Sequence, residues 1–257
     1  MPIVAPCEAK TNTTPEFPMG WFSVARGNEL SIGGVKRVVA FDRELALYRT
    51  ESGIPVVQDA FCPHLGAHLG VDGRVVGERI QCPFHGWQFG KTGDCESIPY
   101  CEEIPSRAKL RTWPTIEKNG EIYMWFHPEN SEPQWEVPKL VELGHPDWSS
   151  PRHAEFDVPA HVQDIAENSC DPVHFAYVHR QPDVPPSEVT VEDNGRILHL
   201  HSDASKAEIP SQLHATVYQP GFALVRNTYG PGAEMVVYNS AQPVSRNETR
   251  MRWTLTV

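Results

Sequence analysis

Two short loops of matched chemistry limit what this chain can become. Cys62-Pro63-His64-Leu65-Gly66 is followed, after residues 65–81, by Cys82-Pro83-Phe84-His85-Gly86-Trp87. Each loop offers one soft thiolate and one imidazole, and each carries a proline and a glycine that shape a tight turn. A lone Cys near a His is ordinarily a core thiol beside a surface histidine. Two such halves together are a metal-ligand pattern. The ligand count permits zinc on two Cys and two His, but zinc-finger pairs normally keep Cys with Cys and His with His.

A second group of donors lies in residues 167–179, Glu-Asn-Ser-Cys-Asp-Pro-Val-His-Phe-Ala-Tyr-Val-His. His174 and His179 are five apart, which on a straight helix turns them about 140° from each other. They can meet one metal only if the helix ends or distorts between them. Asp171 stands one turn before His174 on the same face, within reach of an imidazole or of a water beside it. Taken alone, two histidines on a helical segment are usually ordinary polar residues; the paired loops upstream reverse that weighting.

Around these donors the chain reads as two domains. From Trp21 onward, short β-rich runs are broken by Gly33-Gly34, Asp72-Gly73, Thr92-Gly93-Asp94 and Asn119-Gly120, the pattern of a compact antiparallel β domain. Residues 121–126 are its last strand, and the polar, Pro-containing stretch 127–138 resembles a linker. Domains are therefore expected at 18–130 and 139–257. Residues 160–169 have helical periodicity, and Asp171-Pro172 looks like an N-cap with proline at the first helical position of a second short helix. Strands then return. Residues 189–191 and 197–201 flank Asn194-Gly195, 213–218 and 223–229 flank Pro220-Gly221, and 235–240 and 250–257 flank a polar turn, which together predict a meander. The chain stops inside an apparent strand, 251–257, where an unfinished strand leaves unpaired backbone. A fragment is expected on that ground.

Composition narrows the partners. A net charge of -11 and a pI near 5.5 argue against nucleic acid or an anionic membrane surface. No segment approaches the roughly 18 apolar residues of a membrane span. The six cysteines are too few and too uneven for a disulfide framework, so a reducing compartment, the cytoplasm, is expected. Cys7, Cys95 and Cys101 read as unremarkable thiols, and Cys170 as packing between the helical pieces. Arg107, Lys109 and Arg111 alternate on one strand face, which reads as a solvated face sooner than as a dock for an acidic electron donor.

The two Cys-x-His loops resemble those of Rieske proteins, in which two histidines replace two cysteines on one iron of a 2Fe-2S cluster. Respiratory Rieske subunits carry an extra cysteine in each loop, where this chain has Ala67 and Phe84. They also carry a serine and a tyrosine near the second loop, where this chain has Trp87 and Phe89. The resemblance therefore implies a low-potential cluster. His68 is not a ligand in this pattern and reads as a surface residue. Asn168, Asp171, His174 and His179 match the spacing of the Rieske non-haem iron oxygenases. Cys82 to Phe89 and Ile98-Pro99-Tyr100 look like the branch of cholesterol 7-desaturase and 3-ketosteroid 9α-hydroxylase.

The resemblance implies an α+β chain: an all-β Rieske domain, then a helix-grip (START-like) catalytic domain, incomplete at its C-terminus. It implies 2Fe-2S ligation by Cys62, His64, Cys82 and His85, a mononuclear Fe(2+) on His174 and His179, and Asp171 as the electron bridge to a neighbouring subunit's cluster, with Asn168 near the iron. It implies a cytoplasmic homotrimer that takes electrons from a ferredoxin or an NAD(P)H-dependent reductase. With O2, it would hydroxylate or desaturate an apolar ring substrate, a steroid or sterol by resemblance. The carboxylate that completes the family's iron site is not assigned, because Asp183, Glu188 and Glu192 sit in loop or strand contexts that do not match. The rival expectation is an electron carrier whose second domain binds a lipid and no mononuclear iron.

Overall fold

Turn residues place the first set of strands. In the computed structural model, which describes residues 17–169, 171–180, 183–205, 210–230 and 232–257, Asn119 and Gly120 both take positive φ, 55° and 77°. They reverse the chain as expected of that pair. Before and after them run β1 (Gly20–Arg26), β2 (Val35–Ala40), β3 (Arg43–Arg49), β4 (Pro55–Asp59), α1 (Leu69–Asp72), β5 (Arg74–Val76) and β6 (Arg79–Gln81). β7 (Gln88–Phe89), β8 (Cys95–Ser97), β9 (Thr112–Trp113), β10 (Thr115–Lys118) and β11 (Glu121–Phe126) complete the β-rich half. These strands form three small sheets, ordered β1-β11-β10, β2-β3-β4-β9 and β5-β6-β7-β8.

The second half opens with β12 (Arg152–Val158), α2 (Val162–Asn168) and α3 (His174–Tyr177). It continues with β13 (Ser187–Glu192), β14 (Ile197–Ala204), β15 (Ser211–Tyr218), β16 (Phe222–Tyr229), β17 (Ala233–Ser245) and β18 (Glu248–Thr256). All seven strands make one antiparallel sheet, β12-β18-β17-β16-β15-β14-β13. The meander from β13 to β18 follows the predicted turns, and the helical pair precedes it.

Three expectations change. The second helix begins at His174, not Pro172, and its N-cap is Val173 with no side-chain cap; Asp171 is not the cap, its Oδ1 accepting instead from Val173 N at 2.8 Å in the turn before the helix. The last strand, β18, is not an unpaired edge, because β12 and β17 flank it on both sides. Its partner β12 lies a hundred residues earlier, so a local pattern could not reveal the pairing. The expected linker is strapped down: Asn119 Nδ2 donates to Pro138 O at 2.9 Å, and its Oδ1 accepts from Leu140 N at 3.0 Å. Val137 and Leu140 are buried in a core with Trp21, Tyr123, Trp125, Phe222 and Tyr238.

The halves are joined by a hairpin tip. Phe41 and Asp42, both at positive φ (58° and 56°), turn β2 into β3. A bulky residue in that region is strained. It is held by stacking of Phe41 on Phe126 at 4.1 Å and by donation of its N–H to Pro243 O of β17 at 2.7 Å. One apolar core accordingly runs from Phe22, Leu45 and Met124 through Phe41 to Val162, Ala241 and Met251.

Candidate metal centres

The two Cys-x-His loops fold alike because the same local bonds close each. Cys62 N donates to Ala67 O at 2.9 Å and Gly66 N to Cys62 O at 2.9 Å. In the second loop Cys82 N donates to Trp87 O at 2.8 Å and Gly86 N to Cys82 O at 3.1 Å. Gly66 and Gly86 sit at φ of 74° and 71°, a conformation that favours glycine. A Cβ on Gly86 would also stand 3.0 Å from Pro99 Cγ, so the turn carrying Ile98-Pro99-Tyr100 lies directly against the second loop.

The thiols lie inside and the imidazoles outside. Cys62 and Cys82 are 2% and 3% exposed, His64 is half-buried and His85 exposed. Burial pushes the Cys62 thiol up to about 12; the N–H groups of His64 and Leu65 pull it down, and the neighbouring Cys82 raises it further. The His64 and His85 rings stand 4.6 Å apart. Trp87 stacks on His64 at 4.6 Å with planes 6° apart, and its Nε1–H donates to Tyr100 Oη at 2.8 Å. His64 Nδ1 is buried with no hydrogen-bond partner. A buried ring nitrogen without a partner is costly unless a metal takes its lone pair.

The second group is assembled by a broken helix. α2 starts at a capping box in which His161 Nδ1 accepts from Gln163 N and Asp164 Oδ2 accepts from His161 N. It ends at Asn168. α3 then lasts one turn: Val178 N and His179 N both reach His174 O, at 2.8 and 3.4 Å, and Arg180 takes φ of 55°. This widened turn removes the angular mismatch, and the His174 and His179 rings stand 5.2 Å apart. Two imidazoles on one ion with metal–nitrogen bonds of about 2.1 Å and tetrahedral angles need ring centres about 5 Å apart. Asp171 is exposed, and its backbone carbonyl meets His174 Nδ1.

Among the described residues no group of three or more His, Cys, Asp or Glu side chains is placed to hold one metal ion. Glu188 and Glu192 lie in β13, and Glu192 faces His199.

Other expectations move. His68 is not a surface bystander: its Nδ1 accepts from Gly70 N to cap α1, and its Nε2 meets Glu44 Oε2 at 3.2 Å. Arg107, Lys109 and Arg111 lie between β8 and β9 and share no strand face; Lys109 is paired with Asp94 at 2.8 Å, and Arg111 lies 3.4 Å over Trp113 and bonds Asn130. Cys95 is buried and Cys101 exposed, both free thiols; Cys7 and Cys170 lie outside the described residues. The Trp87–Tyr100 pair was not anticipated, though both residues lie within the motifs that carried the resemblance.

Paired Cys-x-His loops on small β sheets, followed by a seven-stranded sheet with a helical pair, define the Rieske oxygenase fold. Residues 20–114 match the Rieske [2Fe-2S] domain and residues 124–257 match the 3-Ketosteroid 9alpha-hydroxylase C-terminal domain, so the chain belongs to that hydroxylase-type Rieske family. It is 41% identical over 169 residues to cholesterol 7-desaturase of Caenorhabditis elegans, a match covering 65% of this chain and 40% of that protein. Identity to the cholesterol 7-desaturase of Xenopus laevis is 42% over 66% of this chain and 38% of that one. A probable 3-ketosteroid-9-alpha-monooxygenase oxygenase component of Rhodococcus rhodochrous is 36% identical over 65% and 43% of the two chains. The matches thus span about two fifths of the length of these curated relatives. Among solved structures, Pseudomonas putida NdmA with caffeine superposes with a TM-score of 0.77 at 22% identity over 92% of this chain and 73% of that one. Dicamba monooxygenase bound to dicamba gives 0.77 at 22% over 92% and 76%. At that identity the likeness speaks for the fold alone.

Proposed function

We propose that this chain belongs to the oxygenase component of a Rieske non-haem iron enzyme acting on an apolar ring substrate, a sterol or steroid. The observation that carries the reading is the paired arrangement of the first centre: two buried thiols side by side, two imidazoles side by side at the surface, and a partnerless His64 Nδ1. Cys62 and Cys82 would hold one iron and His64 and His85 the other, within a Rieske domain at 18–130. His174 and His179 would hold the mononuclear iron in a catalytic domain at 139–257. When bound, the cluster supplies single electrons and the mononuclear iron activates dioxygen.

The chain's own groups support those roles. The Asp171 carbonyl accepts from His174 Nδ1–H, which fixes the tautomer and presents Nε2 outward. Burial of Cys62 and Cys82 excludes water from the thiolates. The substrate preference follows the relatives' names and one sheet face. In register, Leu198 and Leu200 of β14 continue through Ala215 and Val217, Ala223 and Val225, to Val237. On β17 this is the face of Ala241, which shares a core with Val162 of α2.

Asp171 is proposed to bridge a neighbouring subunit's cluster to His174 within a cytoplasmic homotrimer fed by a ferredoxin or an NAD(P)H-dependent reductase. No described helix is long and apolar enough to cross a membrane.

Anaerobically purified protein should be red-brown and, once reduced, give an electron spin resonance signal averaging below g of about 2. His64→Ala and His85→Ala should abolish that signal. A colourless protein with one tightly held zinc would end the cluster reading. About three irons per chain are expected, against about two for an electron carrier.

A further inference from the structure

The face of the seven-stranded sheet opposite α2 carries three histidines that the proposed reaction does not use. His199 and His201 lie two apart on β14, so both side chains project from one face. His201 pairs directly across the ladder with His214 of β15, and His199 pairs with Thr216. Through Leu224 and Arg226, this row reaches Tyr238 and Val236 of β17. Those positions alternate with Val237 and Ala241, so the histidines are on the other side of the sheet from α2. Among the described residues no ring contact joins them to His174 or His179.

We propose that His199, His201 and His214, with Glu192, form a binding site for a borderline divalent transition ion, Zn2+ in the first instance. Imidazole-rich sets with a carboxylate suit zinc, copper and nickel over magnesium or calcium. The spacing agrees. Rings bound to one zinc have centres about 5 Å apart when metal–nitrogen bonds are about 2.1 Å. The His199–His214 and His201–His214 centroids are 5.7 and 6.4 Å apart. His199 Nε2 and Glu192 Oε2 are 3.6 Å apart, against about 3.4 Å for two donor atoms on one tetrahedral zinc. No three of these side chains already converge on one point. Rotation about the side-chain torsions would have to bring them together as the ion binds.

A second observation points the same way. His199 Nδ1 is engaged by Thr216 Oγ1 at 3.1 Å, which orients the ring and leaves Nε2 facing Glu192. Metal-bound histidines ordinarily have the other ring nitrogen held in this manner. Arg226, opposite His214, brings a positive charge that disfavours a cation. Its guanidinium is spent on Glu234 at 2.7 Å and on Glu142.

The test is zinc titration by calorimetry of the full chain carrying its cluster, with His174→Ala and His179→Ala removing the competing pair. One zinc per chain is expected at micromolar affinity or tighter. His199→Ala and His214→Ala should each weaken it by about a hundredfold or more, and Thr216→Val, which touches no metal, by about tenfold. Far-ultraviolet circular dichroism should be unchanged, since these side chains are at least partly exposed. Binding no tighter than millimolar, or binding that survives His199→Ala and His214→Ala unchanged, would overturn the proposal.

Discussion

Glu44 ties the first metal loop to the sheet beneath it, and Glu44→Gln tests how much that tie contributes. Arg37 Nε donates to Glu44 Oε2 at 2.7 Å, and a second guanidinium nitrogen donates to Oε1, a two-pronged pair between neighbouring strands. His68, which caps α1 just beyond Cys62, His64 and Ala67, shares the same carboxylate. The Arg37 hydrogen bond holds the Glu44 carboxyl down from 4.5 to about 2, against the opposing effect of burial and with further help from His68. At about 1.4 kcal/mol per pKa unit, that drop corresponds formally to about 3 kcal/mol. The Arg37 side chain is 54% exposed, so solvent screening reduces the expected contribution to about 1 kcal/mol. Because the folded value lies below the unfolded one, the stabilisation is complete above about pH 4.5 and is lost as pH falls toward about 2. Urea unfolding of wild type and Glu44→Gln should therefore differ by about 1 kcal/mol at pH 7 and by clearly less at pH 3. Equal stability at pH 7, or a difference as large at pH 3 as at pH 7, would refute this account of the loop's anchoring.

Two further outcomes follow from buried side chains. Trp87→Ala removes the ring stacked on His64 and should cost about 3 kcal/mol and hasten bleaching of the cluster, whereas Trp87→Phe, which loses the bond to Tyr100 and one of the two fused rings but keeps an aromatic face, should cost less, about 2 kcal/mol. Urea midpoints and the decay of visible absorption separate the two. Arg252 is 2% exposed and donates to Ser23 O and Gln242 Oε1 between the two halves; Arg252→Ala leaves the carboxylate of Glu121, itself 1% exposed, with less compensating charge. A loss of about 3 kcal/mol is expected, and a smaller one for Arg252→Met, which keeps the packing volume.

What the sequence made legible was local. The Cys-x-His loops could be read because ligand type, proline and glycine are dictated within a few residues. The meander could be read because Asn194-Gly195 and Pro220-Gly221 announce its turns. The separation of His174 from His179 also stated the condition for their meeting, and the break after Tyr177 meets it. Distant partners were not legible. The value of His68 depends on Glu44, 24 residues away. The interior position of β18 depends on β12. The cap of α2 is a histidine, a residue outside the usual capping set, so only its reciprocal bonds with Asp164 reveal it. Asp171 was not legible as anything but a cap, yet its carboxylate closes a turn on Val173 N and the helix proper starts one residue later without a side-chain cap.

The choice between a two-iron cluster and a zinc ion in the first centre turns on how the four donors are grouped. A tetrahedral zinc requires four ligand atoms spread evenly about one point. Here the thiols form one buried pair and the imidazoles a second, more exposed pair with rings 4.6 Å apart. Two metals that each take two protein ligands would match that grouping. Burial, and then the neighbouring Cys82, raise the Cys62 thiol to about 12, so a bound metal would have to bring positive charge beside it to hold it as a thiolate. As ligands the imidazoles would be neutral and would add no negative charge at the more exposed end of the proposed centre, near which Leu65, Phe84 and Tyr100 are themselves exposed. The proposal that electrons enter through the histidine side rests on that distribution of charge.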